Sequence, residues 1–159
     1  MRSFEKISFK QFKDDISDSK ELYESIIVPK RQTSGSAGYD ISVLKDYIIK
    51  PKEIVKIPTG IKTSMNEGEV LLLVVRSSMG FKYNLRLCNQ VGVIDSDYYN
   101  NKENEGHIWI AVQNEGNSDI TLNKGQRIVQ GIFVNYLKVD DDDESKIRKG
   151  STGSTDEEE

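Results

Sequence analysis

The chain is 159 residues long, 36% hydrophobic and 30% charged, with a formal net charge of −4 at pH 7, which suits one domain burying roughly two-thirds of its unfolded surface. The acidic balance argues against stable nucleic-acid binding, and no apolar run approaches the ~20 residues of a membrane-spanning helix. Arg2, Glu5 and Lys6 stand where an export signal carries its apolar stretch, so a cytoplasmic protein is expected. One cysteine, Cys88, excludes an internal disulfide and reads as a small buried apolar residue, and the sole histidine, His107, has no metal-ligand spacing.

In chain order, Phe9, Phe12 and Ile16 recur at helical spacing, predicting a short amphipathic helix over residues 8–17 that packs on the main body. Beyond Leu22 the pattern changes to short β-rich runs at 47–49, 53–57, 70–75 and 108–112, separated by Pro, Gly and Asn. Short, regularly spaced strands predict an all-β sandwich or barrel over residues 1–139, with 1–21 as its helical N-terminal extension. Five consecutive acids follow at 140–144, then a Gly/Ser/Thr-rich stretch and three closing glutamates. Residues 140–159 show no strand or helix period and are expected to be a solvated linker and flexible arm.

Four segments could carry chemistry. Arg76-Ser77-Ser78-Met79-Gly80 directly follows the run 70–75, offering a guanidinium fork and two hydroxyls suited to phosphate oxygens; a plain surface turn explains the same residues. A turn glycine and alternating side chains in the stretch from Gly125 to Gln130 serve structure as well as function. Residues 150–155 let backbone N–H groups converge on an anion, or are simply low in complexity. In the stretch from Asn89 to Tyr98, Asp95 and Asp97 flank Ser96 beside an aromatic and would share one face if extended. An ionised carboxylate there can act as a general base, an effect of about a hundred- to ten-thousand-fold, or brace a turn.

Taken together, Ala37-Gly38-Tyr39-Asp40-Ile41, Arg76-Ser77-Ser78, Gly92-Val93-Ile94-Asp95-Ser96-Asp97-Tyr98, Gly125 to Gln130, and Gly153-Ser154-Thr155 resemble the five ordered motifs of the homotrimeric dUTPases. The resemblance spans about 26–155 and is strongest to versions from phages and Gram-positive bacteria. It implies a distorted jelly-roll or β-clip barrel that hydrolyses dUTP to dUMP and pyrophosphate, keeping uracil out of DNA and supplying dUMP for dTMP synthesis. It also implies three active sites between subunits and magnesium held mainly by substrate phosphates and water rather than by direct protein ligands. By the same resemblance, Asp95 activates the water that attacks the α-phosphorus. Arg76, Ser77, Ser78 and Gln130 hold phosphates, and Arg148, Gly153, Ser154 and Thr155 arrive on the arm. Asn89 and the backbone of Gly92, Val93 and Ile94 read the uracil edge, Tyr98 lies beneath the deoxyribose, and Asp40 supports the catalytic centre or a subunit contact.

Two departures from the family pattern stand out. An insertion at 100–105 is expected to project beside the site, as a surface loop or a contact for a regulatory protein. Thr152 replaces the family's stacking phenylalanine, and Trp109 is a candidate substitute aromatic. The related dCTP deaminases share the fold but need a catalytic glutamate. A nucleotide-gated binding module is the non-enzymatic alternative.

Overall fold

The computed structural model describes residues 1–145, 148 and 150. Its framework is antiparallel. One sheet runs in the order β2 (Tyr39–Ser42), β11 (Arg127–Asn135), β6 (Glu69–Val75), β8 (Gly92–Asp95). A second runs β4 (Ile54–Pro58), β9 (Trp109–Asn114), β7 (Leu85–Leu87), and two separate two-stranded sheets pair β1 (Ser3–Lys6) with β5 (Ile61–Ser64) and β3 (Tyr47–Ile49) with β10 (Ile120–Leu122). Side chains alternate across a pleated strand, so Ile110, Val112 and Asn114 of β9 point inward together. Ile110 and Val112 meet Leu71 and Leu73 of β6 and Ile128 and Val129 of β11 in one core shared by the sheets. Complete burial of a leucine such as Leu71 contributes about 1.5–3 kcal/mol.

All four β-rich runs are strands, and the expected helix is α1 (Phe9–Asp15), started by Ser8, whose Oγ accepts the Gln11 N–H at 3.1 Å. A second short helix, α2 (Lys20–Glu24), is capped in the same way by Ser19. Helices this short draw their stability from packing, here a separate cluster of Ile7, Phe12, Ile26, Leu44 and Ile61. His107 ties α1 to the sheets. Fully buried, it accepts the Gly60 N–H at Nε2 (2.9 Å), which leaves Nδ1 to donate to Asp15 Oδ2 at 2.5 Å. Burial pushes its pKa down despite the opposing pull of Asp15.

Three features depart from the sequence expectation. The N-terminal extension begins with a strand, β1, whose Phe4 packs against Tyr39 and Phe133 at ring-centroid distances of 5.3 and 5.4 Å. Arg2 then forks onto Glu69 (2.5 and 2.8 Å) and holds that carboxyl down to about 2. The serines after Arg76 begin a helix, α3 (Ser77–Tyr83), rather than a turn. Cys88 is half-buried in the turn after β7 instead of lying in the core.

Candidate functional site

Strand β6 separates the site residues into two groups. Asp95 sits opposite Val70 at one end of the strand, whereas Arg76 lies six positions beyond Val70, past the other end. At ~3.3 Å per residue that is about 20 Å.

At the Arg76 end, β11 lies between β2 and β6, so Gln130 is opposite Asp40 on one side and Val74 on the other. Asp40, 8% exposed, is gripped by two arginines: Arg76 Nε reaches Oδ1 and Arg127 Nη1 reaches Oδ2, each at 3.2 Å. The pairing fixes the Arg76 side chain at the rim of a cleft that Ser77, Ser78, Gln130, Gln32 and Ser36 also line. Arg76 occupies the N-cap of α3, so Ser77 and Ser78 form the first helical turn, where backbone N–H groups lack intrahelical acceptors. Guanidinium, hydroxyls and amides together offer donors suited to an anion. Gly38 makes room for this rim: a Cβ there would lie 2.2 Å from Gln130 Oε1. Arg127 and Gly38 stand inside the quoted motifs, yet their parts become visible only through strand pairing.

At the other end, the extended conformation stops at Asp95, and Ser96–Tyr98 coil into a 3-10 turn. Asp95 and Asp97 therefore do not share a strand face, but they still converge, because one guanidinium spans both. Arg148 Nη2 donates to Asp95 Oδ2 and Nε to Asp97 Oδ1, each at 2.8 Å. The same guanidinium lies over the Tyr98 ring, 5.8 Å from its centroid. Arg148 is thus placed on the carboxylates in this structure, in a cleft also lined by Ser96, Met65, Tyr136 and Lys138. The side chains of Asp95 and Asp97 stay about half exposed, at 51% and 48%, which keeps them open to water.

Strand β8 is the sheet edge on this side. Among the described residues, backbone groups of Gly92, Val93 and Ile94 that face away from β6 therefore have no strand partner, as on any edge. Asn89 is exposed in the turn leading into β8. Trp109 opens β9 opposite Pro58, its ring 5.3 Å from that of His107, and it lines neither cleft. The insertion does not project. Asn101 is buried and its amide donates to Tyr98 O (2.9 Å), Asn104 donates to Tyr98 Oη (2.9 Å), and the Glu105 carboxylate receives the Ser8 N–H (2.9 Å). Its backbone finds internal asparagine acceptors, so the segment folds onto the body. Gly150 comes close to it, since a Cβ at Gly150 would meet Glu103. Thr152, Gly153, Ser154 and Thr155 lie outside the described residues.

A jelly-roll-like β-fold with an arginine- and serine-lined rim and a water-accessible carboxylate pair beside an aromatic is compatible with a hydrolase of phosphorylated substrates. Comparison with known proteins narrows this class. The dUTPase family model matches residues 24–156. The deoxyuridine 5′-triphosphate nucleotidohydrolase of Lactococcus lactis is 47% identical over 132 residues, covering 82% of this chain and 88% of that protein. The counterpart from Hahella chejuensis is 35% identical over 144 residues, 86% and 91% of the two chains. The crystal structure of dUTPase from Streptococcus mutans superposes with a TM-score of 0.72 at 42% identity, covering 87% of this chain and 98% of that one. The chain belongs to the dUTPase family and is a nucleotide hydrolase, which favours dUTPase over the deaminase reading.

Proposed function

We propose that the chain hydrolyses dUTP to dUMP and pyrophosphate, with Asp95 as the general base. The supporting observation is the geometry at the end of β8, where a half-exposed carboxylate sits beside Tyr98 within reach of the arm residue Arg148. Asp95 orients a water and takes its proton as the oxygen bonds to the α-phosphorus. The bond to the bridging oxygen breaks, and pyrophosphate leaves in line. Arg76, Ser77, Ser78 and Gln130 hold the phosphates, with Asp40 and Arg127 keeping Arg76 in place. Arg148 exchanges Asp95 and Asp97 for phosphate oxygens as the arm closes, joined in this reading by Gly153, Ser154 and Thr155. In this reading the free edge of β8 and Asn89 hydrogen-bond the uracil edge, so cytosine would leave polar groups unsatisfied and thymine's methyl would clash.

Magnesium fits as an ion that the triphosphate would carry, where it would neutralise oxygen charge. Among the described residues no three His, Cys, Asp or Glu side chains are grouped to hold a metal, and both Asp40 oxygens are engaged by arginines. The ion's preference for keeping several waters suits such a site.

The two clefts are too far apart to act on one nucleotide within a chain. A homotrimer, in which the Asp95 end of one subunit meets the Arg76 end of another, completes the site, and closed symmetry makes all three sites equivalent. The reading includes one catalytic domain over 1–139 with an arm over 140–159, and a phage or Gram-positive type of enzyme in the cytoplasm. Any regulatory protein at the insertion would meet its exposed tip, Lys102 and Glu103. The test is pyrophosphate release from a panel of nucleotides with magnesium: dUTP is consumed, and dTTP, dCTP and UTP are nearly inert. No release from dUTP by the wild-type oligomer would transfer the assignment to a nucleotide-gated binding module.

A further inference from the structure

The insertion at 100–105 is a built cradle around one side chain. Tyr98 is 7% exposed, and its hydroxyl has both partners: it donates to His107 O at 3.1 Å and accepts from Asn104 Nδ2 at 2.9 Å. The Asn104 amide cannot flip without loss, because its Oδ1 already accepts from Asn101 Nδ2 (2.8 Å) and from the Gly106 N–H (3.0 Å). Asn101 in turn donates to the Tyr98 carbonyl at 2.9 Å, and its Oδ1 accepts the N–H groups of Glu103 and Asn104 at 3.0 and 3.1 Å. The segment returns through Gly106 at φ +79°, where a Cβ would stand 2.6 Å from Tyr98 O, so only glycine lets the loop close this tightly on the tyrosine. Salt and hydrogen bonds from Glu105 to Ser8 and Lys62 fasten the cradle to the body.

We propose that Asn104, held by Asn101, is a positioning residue that locks the Tyr98 ring and thereby sets discrimination between deoxyribose and ribose. The proposal rests on the reading that Tyr98 lies beneath the sugar. A ring excludes a 2′-hydroxyl only if it cannot yield by the ångström or so that an extra oxygen needs, and displacements of that size carry large effects in active sites. One end of Tyr98 is fixed by the chain and the 3-10 turn. The other end is fixed by the Asn104 and His107 bonds, and the Arg148 guanidinium that bridges Asp95 and Asp97 lies over the ring.

The experiment measures kcat/KM for dUTP and for UTP in the full-length enzyme and in Asn104→Ala, Tyr98→Phe, the double variant and Tyr98→Ala, alongside thermal midpoints. Asn104→Ala is expected to lower the dUTP-to-UTP ratio by about tenfold, mainly through a gain on UTP. Tyr98→Phe removes that bond together with the one to His107 O and should lower the ratio at least comparably; adding Asn104→Ala to Tyr98→Phe should change little, because the Asn104–Tyr98 bond is already gone. A lower midpoint with an unchanged ratio in both Asn104→Ala and Tyr98→Phe would overturn the proposal and leave the cradle purely structural. If Tyr98→Ala also left the ratio unchanged, the sugar-stacking reading of Tyr98 would fall with it. A ratio that collapses in Tyr98→Ala but not in the other two variants defeats the cradle alone.

Discussion

Mixing two inactive variants tests whether the site is shared between subunits. Asp95→Asn disables the carboxylate half and Arg76→Ala the phosphate half, and the roughly 20 Å between them along β6 keeps the two lesions independent. If each site takes its Asp95 end from one subunit and its Arg76 end from another, random equimolar trimers have an intact pair at about a quarter of their sites. Each variant alone, by contrast, has none. The variants are unfolded together, refolded at 1:1, checked for trimer size by light scattering, and assayed for pyrophosphate release beside each variant refolded alone. Recovery of about a quarter of wild-type kcat, with KM near the wild-type value, is the predicted result. Hybrid trimers no more active than the sum of their parents would refute the shared site and require both halves to meet within one chain.

Other perturbations isolate single contacts. Gly38→Ala places a Cβ against the Gln130 amide; dUTP turnover should fall about tenfold or more while the melting temperature moves little, since Gln130 yields at its flexible end. Arg148→Ala removes a charged fork and should raise KM for dUTP roughly tenfold; a lower KM would instead show that Arg148 mainly plugs the cleft. His107 has its folded pKa lowered by burial. Its contribution is therefore fully present above the unfolded value of about 6.5 and lost as pH falls through the lower folded one. Urea midpoints followed by the emission of Trp109, the chain's one tryptophan, should decline below that pH in the wild type and decline less in His107→Gln.

Strongly patterned segments are legible in the sequence itself. The run 70–75 is continuous and apolar and lies within β6 with both neighbours paired, and Phe9, Phe12 and Ile16 mark α1 because a helix repeats its inward face at that spacing. Strand β1 is not legible in the sequence because Ser3-Phe4-Glu5-Lys6 buries mainly one aromatic, and its pairing with β5 comes from nearly 60 residues away, which no local pattern reveals. Helix α3 was masked by Gly80 and two aromatics, residues of modest or poor helix propensity, and is held instead by Met79 in the core. The motifs single out Asp40, Arg76, Gln130 and Asp95 as candidate site residues. Strand order alone divides them between two ends of β6, because that order depends on non-local pairing of β2, β11, β6 and β8. The insertion looked like a protruding loop because its asparagines and charges suit solvent, yet those side chains supply the acceptors and donors that fold it around Tyr98.

The central claim, that Asp95 draws the proton from the attacking water, is tested most directly by single-turnover hydrolysis in Asp95→Asn. The amide is nearly isosteric and keeps an oxygen for Arg148, but it cannot accept the proton. The account predicts that this variant binds a non-hydrolysable dUTP analogue within a few-fold of wild type while the chemical step slows by about a hundred- to ten-thousand-fold. A chemical step within a few-fold of wild type would contradict it.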